Sequence, residues 1–201
     1  VTMGSERKTL QTEQERRMTA YHEAGHALVA SNIEEMDPVS RVSIVARGAS
    51  LGHTSIEPLR DRYNETRTRI LSMITTMLGG RAAEELVFDE MTVGAADDIE
   101  KATKLARKMV TQYGMSSLGP VSYNGKEDQF MLAKEFGLSH SGPSEEMSAK
   151  IDKEIEKIVD SCYERAKKII KDNKKTLDRI SEELLEKETL YEEEFKKLLT
   201  A

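Results

Sequence analysis

Two histidines and a glutamate stand together near the N-terminus, in His22-Glu23-Ala24-Gly25-His26. An α-helix turns once in about 3.6 residues, so side chains four apart project from one face, one above the other. Two imidazole nitrogens placed in this way can meet one ion at about 2.0–2.1 Å. Glu23 flanks the same face, where a carboxylate reaches a water acidified by the ion rather than the ion itself. The pattern is that of a zinc site carrying its own general base. Met18, Tyr21, Gly25, Leu28 and Val29 recur around it at helical spacing, and on such an apolar face imidazoles without a ligand or partner would be costly.

A catalytic zinc takes three protein ligands and keeps one position open for water, so a further side chain is required. The remaining histidines are His53, beside a candidate strand, and His140, in a Gly/Ser/Pro-rich stretch. The carboxylate candidates are Glu84 and Glu85, after Gly79-Gly80, and Asp97 and Asp98, at the start of a helical pattern. Spacing alone leaves this choice open. Helix N-termini favour acidic residues for capping and for the dipole, and of two such aspartates one can cap while the other is free as a short, rigid ligand. Glu84 is also a candidate to orient a ligating imidazole through its second ring nitrogen.

The elements that must position these groups follow from periodicity. Residues 12–32 read as the motif helix, polar at its start and rich in Ala and Gly through the site, which permits close packing around an ion. Residues 41–46 alternate with period two and residues 52–56 form a second short strand candidate before Pro58, so a small sheet is expected beside the helix. An edge strand there could bind an extended peptide through its main chain. Residues 64–88 carry an apolar stripe (Ile70, Met73, Ile74, Met77, Leu78, Ala82, Leu86, Val87) interrupted by Gly79-Gly80, where a tight contact is expected. A third helix starts after Gly94 and ends near Gly114, and residues 115–143 read as a mobile loop with one candidate strand at 120–123. Beyond it, residues 144–171 form a strongly amphipathic helix with Cys162 on its apolar side, and two shorter helices follow. The last of these carries a capping-box pattern, Thr189 with Glu192. The fold class expected is mainly α, a helical metallopeptidase domain with a small β-sheet beside the zinc-motif helix. Residues 1–143 form its zinc-binding part and 144–201 a C-terminal helical part packed on it.

The 201 residues are 38% hydrophobic and 33% charged, enough for one substantial core and inconsistent with compositional disorder. A net charge of −6 and a pI near 5.4, with no basic stripe interleaved with aromatics, argue against nucleic acid as a partner. The single cysteine, Cys162, fits a buried small residue in a reducing compartment. No run of 18 or more apolar residues occurs, so membrane attachment is expected only through segments outside this sequence. The opening Val1-Thr2-Met3-Gly4 suggests a domain cut from a longer parent.

Four separated blocks resemble the peptidase domain of the FtsH-type AAA proteases, the membrane-anchored ATP-dependent zinc metalloproteases of bacteria. They are Thr19-Ala20-Tyr21-His22-Glu23-Ala24-Gly25-His26-Ala27-Leu28-Val29, Leu78-Gly79-Gly80-Arg81-Ala82-Ala83-Glu84-Glu85-Leu86, Gly94-Ala95-Ala96-Asp97-Asp98-Ile99, and Met109-Val110-Thr111 with Tyr113-Gly114-Met115-Ser116. The resemblance implies a Zn²⁺-dependent endopeptidase in which His22, His26 and Asp98 bind the metal and Glu23 activates water. Asp98 occupies the family's aspartate position, whereas Asp97 stands where the family varies. It further implies a homo-hexamer whose sites face a chamber fed by an ATPase ring, and unfolded, misassembled or membrane proteins as substrates. The location implied is the bacterial inner membrane, with this domain on the cytoplasmic side. The chain departs from the family at His53, where a tyrosine is usual, and at Glu57-Pro58-Leu59-Arg60-Asp61, where a Pro-Glu-Glu-Asp stretch is usual. It also contains no G-x-x-x-x-G-K-[ST] loop, so ATP use is expected of a longer parent. The alternatives are a stand-alone zinc hydrolase of small peptides and a catalytically idle assembly domain with a structural metal. A structural site would be closed by a fourth protein ligand, for which His53 is the nearest candidate in sequence.

Overall fold

The computed structural model describes residues 12–46, 51–58, 64–123 and 143–200. Helix α1 (Glu13–Ser31) begins at a capping box. The Thr12 hydroxyl accepts from the Glu15 N–H at 3.2 Å, and the Glu15 carboxylate accepts from the Thr12 N–H at 2.8 Å. From Thr19 to Ala30 every residue of α1 is buried, so the helix is enclosed on all sides rather than amphipathic. That burial places the His22–His26 motif within the packed interior of the described residues.

Strands β1 (Val39–Ser43) and β2 (His53–Ile56) follow, then α2 (Arg67–Met77), α3 (Gly79–Phe88), a 3-10 turn at Val93–Ala95, and α4 (Ala96–Thr111). After the long helix α5 (Glu145–Asp172) come α6 (Lys174–Lys187), β3 (Thr189–Tyr191) and α7 (Glu192–Thr200). Helices α2, α3, α5 and α6 and strands β1 and β2 pack against α1. The expectation of a mainly helical fold with a small sheet is met, with a third strand in addition. The sheet is antiparallel in the order β2-β1-β3, and Val42 at its centre stands opposite Thr54 on one side and Leu190 on the other.

Strand β3 corrects the expected capping box at Thr189. Leu190 is fully buried and its strand pairs with β1, while the Thr189 hydroxyl lies 2.8 Å from that of Ser43. Burying an isobutyl group and closing a strand ladder outweighs an N-cap worth about 1 kcal/mol. Helix α7 instead fastens its first turn through Glu194, whose carboxylate accepts from the Tyr191 N–H at 3.2 Å. Strand β1 also starts and ends earlier than expected. After Ser43 the Ile44 N–H turns to the Glu188 carbonyl at 2.9 Å, and the Val45 N–H to the Ser43 hydroxyl at 3.2 Å.

Among the described residues, two apolar clusters form the core. One joins α1, β1, α3, α6, β3 and α7, and the other joins α2, α4 and α5 as far as Cys162. Helix α5 serves both, giving Ile151, Ile155, Ile158 and Cys162 to the second cluster and Ala166 and Ile170 to the first. Leu86, expected in the apolar stripe, is instead 42% exposed, because the break at Gly79 re-aims α3 relative to α2. Residues 120–123 form no strand; the Tyr123 N–H bonds the Thr111 carbonyl at 2.8 Å and holds this segment at the end of α4. The remainder of the expected loop, with His140, and Leu59–Asp61 lie outside the described residues. No helix among the described residues is long and apolar enough to cross a membrane.

Candidate metal centre

Glycines bring the site's helices together. A Cβ on Gly25 would lie 2.5 Å from the Gly79 carbonyl oxygen, and one on Gly79 would lie 2.8 Å from the Gly25 carbonyl oxygen, so α1 and α3 touch backbone to backbone. At Gly80 a Cβ would come within 2.6 Å of the His22 ring. The double glycine that interrupts the apolar stripe is therefore the surface on which the motif helix and its first imidazole rest. The break also leaves Thr76 in the last turn of α2, where a carbonyl is released from the regular i→i+4 bond of a continuing helix.

His22 and His26 are buried, and their Nε2 atoms are 3.1 Å apart. Each lies 3.2 Å from Asp98 Oδ2, presented by the first turn of α4. For a tetrahedral ion with bonds of about 2.0–2.1 Å, ligand atoms stand about 3.3 Å from one another. The triangle of donors has the size of one face of that tetrahedron. The Asp98 side chain is 24% exposed, so the site remains accessible from solvent.

The hydrogen bonds behind the rings fix which nitrogens are bare. His26 Nδ1 lies 2.8 Å from the Thr76 carbonyl, which can only accept, so Nδ1 carries the hydrogen. His22 Nδ1 lies 2.7 Å from Glu84 Oε1. Burial pushes the Glu84 carboxyl up, but hydrogen bonds from His22 and the Thr92 N–H outweigh it and hold the group below the usual carboxylate range. Glu84 is thus an acceptor and His22 Nδ1 a donor. Both Nε2 atoms then turn lone pairs toward each other and toward a carboxylate oxygen. Three acceptors at this separation call for a cation among them, and two imidazoles with one carboxylate suit Zn²⁺.

A proton is the competitor for that position. Burial disfavours the His22 imidazolium, yet hydrogen bonds to Asp98 and Glu84 more than offset it and lift the pKa to about 10. Asp98 is likewise held far below the usual carboxylate range: burial works against ionisation, and the two imidazoles overcome it.

The other candidates are engaged elsewhere. Asp97 points outward, its side chain 71% exposed, and pairs with Lys101 at 2.5 Å. Glu85 accepts from the Tyr163 hydroxyl and pairs with Lys167 at 3.2 Å. His53 is exposed on β2 with Nε2 2.8 Å from the Ser55 hydroxyl, and it does not close the site. Among the described residues, the group able to hold an ion consists of His22, His26 and Asp98. Glu23, next along α1, is 6% exposed, and its Oε2 accepts from the Thr54 hydroxyl at 2.7 Å.

Three contributors went unnoticed in the sequence. Thr76 acts through its carbonyl, for which side-chain type carries no signal, although the helix break at Gly79-Gly80 marks where carbonyls go free. Thr92 donates its N–H to Glu84 Oε2 at 3.0 Å, with its hydroxyl 3.1 Å from the same oxygen. Thr54 is reached only through the sheet.

The family model for peptidase family M41 matches residues 9–198. Similar curated proteins include the ATP-dependent zinc metalloprotease FtsH of Thermotoga maritima, 48% identical over 203 residues, covering 100% of this chain and 33% of that protein. The FtsH of Pseudothermotoga lettingae is 50% identical over 187 residues, covering 92% and 30%, respectively. FtsH 3 of Symbiobacterium thermophilum is 46% identical over 198 residues, covering 98% and 32%. The chain spans about a third of the length of the curated relatives it matches. A match running over nearly the whole sequence, from before the motif helix to the last helix, means that the chain belongs to peptidase family M41.

Proposed function

We propose that this chain is the peptidase domain of an ATP-dependent zinc metalloendopeptidase, with His22, His26 and Asp98 as metal ligands and Glu23 as general base. The observation that carries this reading is the convergence of His22 Nε2, His26 Nε2 and Asp98 Oδ2, within 3.2 Å of one another, beside the buried Glu23 carboxylate on the motif helix. When bound, zinc supplies Lewis acidity, polarising the scissile carbonyl and lowering the pKa of water toward about 7. Glu23 takes the proton of the attacking water and returns it to the leaving amine. Glu84 and the Thr76 carbonyl hold the two imidazoles in the tautomer that presents Nε2. Strand β2, at the edge of the sheet among the described residues, adds an extended peptide through main-chain hydrogen bonds that ignore most of its sequence.

Residues 1–143 and 144–201 act as one peptidase domain, a reading supported by the pairing of β3 with β1. In the whole protein the domain works as a homo-hexamer beside an ATPase part that delivers unfolded, misassembled or membrane proteins, anchored at the bacterial inner membrane and facing the cytoplasm. The relatives' names support ATP dependence and zinc proteolysis, and their length, about three times that of this chain, leaves room for the ATPase part. The test is casein cleavage by the zinc-loaded chain. E23Q should retain zinc and lose at least about a hundredfold in rate, and a chelator should abolish cleavage reversibly. Cleavage by E23Q at the wild-type rate would remove Glu23 from its role.

A further inference from the structure

We propose that the Thr54 hydroxyl positions the Glu23 carboxylate, so that the edge strand of the sheet, and not the motif helix alone, aims the base. The inference rests on the proposed role of Glu23. A glutamate side chain has three rotatable torsions, and a buried carboxylate needs a donor. Thr54 supplies one: its Oγ1 lies 2.7 Å from Glu23 Oε2, and it is also 3.2 Å from the backbone carbonyl of the same residue. Two residues earlier, Gly52 presses the chain against this carboxylate. A Cβ there would come within 2.6 Å of Glu23 Oε1 and 2.7 Å of its Cγ. One oxygen is tied by a hydroxyl while the side chain is packed against the Gly52 backbone that leads into the strand, which restricts both its reach and its rotation.

The strand register explains why Thr54 is the residue in contact. Thr54 stands opposite Val42, which is fully buried, so its side chain lies on the sheet face turned to the interior. His53 and Ser55 lie on the opposite face, where their side chains bond each other at 2.8 Å. Valine has the shape of threonine and favours strands equally, so sheet formation alone does not call for a hydroxyl at position 54.

The test compares wild type, T54V, T54S and E23Q of the zinc-loaded chain in peptide cleavage, together with zinc content. T54V should keep one zinc per chain and a KM within about twofold of wild type, with kcat lowered about tenfold, the size of one hydrogen bond to a charged group. T54S, which keeps the hydroxyl, should recover kcat to within about threefold of wild type. A thermal-unfolding cycle of T54V with E23A reads the contact without activity, and T54V should lower the midpoint clearly less in the E23A background. Wild-type kcat in T54V, T54S no better than T54V, or equal midpoint shifts in both backgrounds would overturn the inference. Cleavage by E23Q at the wild-type rate would overturn the proposed function and this inference together, whereas an inactive E23Q beside a normal T54V would overturn this inference alone.

Discussion

Replacing Glu84 by alanine should weaken zinc binding without touching a metal ligand. Glu84 is 2% exposed and spends its two oxygens on His22 Nδ1 at 2.7 Å and the Thr92 N–H at 3.0 Å. Its removal leaves a buried imidazole N–H without an acceptor, lets the ring rotate or change tautomer, and removes the negative charge that makes Nε2 more basic. Loss of a carboxylate in this relation to a ligating histidine costs about 10–100-fold in metal affinity, or about 1.4–2.7 kcal/mol. A hydrogen bond to a charged group, worth about 1.5–3 kcal/mol, gives the same range independently. In E84Q the amide oxygen can still accept from His22, but the amide nitrogen then faces the Thr92 N–H. One of the two bonds survives, and a loss of about tenfold or less is expected. Zinc affinity is measured by competition with a chromophoric chelator, with helical content of the metal-free chain checking that each variant is folded. E84A binding zinc within about twofold of wild type would show that the Glu84–His22 contact does not orient the ligand.

G25A should destabilise the chain by about 1–3 kcal/mol in urea unfolding, because its Cβ would sit 2.5 Å from the Gly79 carbonyl oxygen and 2.8 Å from Ala83 Cβ. Unchanged stability would mean that α1 and α3 are not in backbone contact. D98N should lower zinc affinity more than tenfold, while D97N, at an exposed side chain paired with Lys101, should stay within about twofold; equal losses would contradict the separation of the two aspartates. The pH dependence differs between metal-free and zinc-loaded forms. His22 has its pKa raised in the fold to about 10, so in the metal-free chain its contribution is complete below about 6.5 and is lost as the pH rises toward 10. The midpoint gap between metal-free wild type and metal-free H22Q should therefore narrow with rising pH. The stabilisation conferred by zinc should instead fall as the pH drops, since protons take the same lone pair. A gap that widens toward pH 10 would refute the charge assignment at His22.

The motif helix and the outline of the site were legible because their signals are local. His22 and His26 share a face by spacing alone, Gly79-Gly80 announces a close approach, and Asp97-Asp98 sits at a helix start. Spacing left Asp97 and Asp98 indistinguishable, since adjacent residues in a first turn differ only in which way they face; the resemblance to a family favoured Asp98, the residue that turns inward. Strand β3 was hidden because three residues are too few for a period-two pattern, and Thr189 with Glu192 imitates a helix start. Its pairing with β1 depends on a partner about 150 positions away in sequence. Thr54, Thr92 and the Thr76 carbonyl act through tertiary contacts, and nothing in their immediate neighbours distinguishes them from ordinary strand, loop and helix-end residues.

A map of anomalous scattering at the zinc absorption edge, from crystals of the zinc-loaded chain, tests the metal site most directly. One peak per chain is expected, at about 2.0–2.2 Å from Nε2 of His22, Nε2 of His26 and the Asp98 carboxylate, and lost in D98A. A peak at another set of residues, or one that D98A leaves in place at full occupancy, would contradict the assignment of these three side chains as the metal ligands.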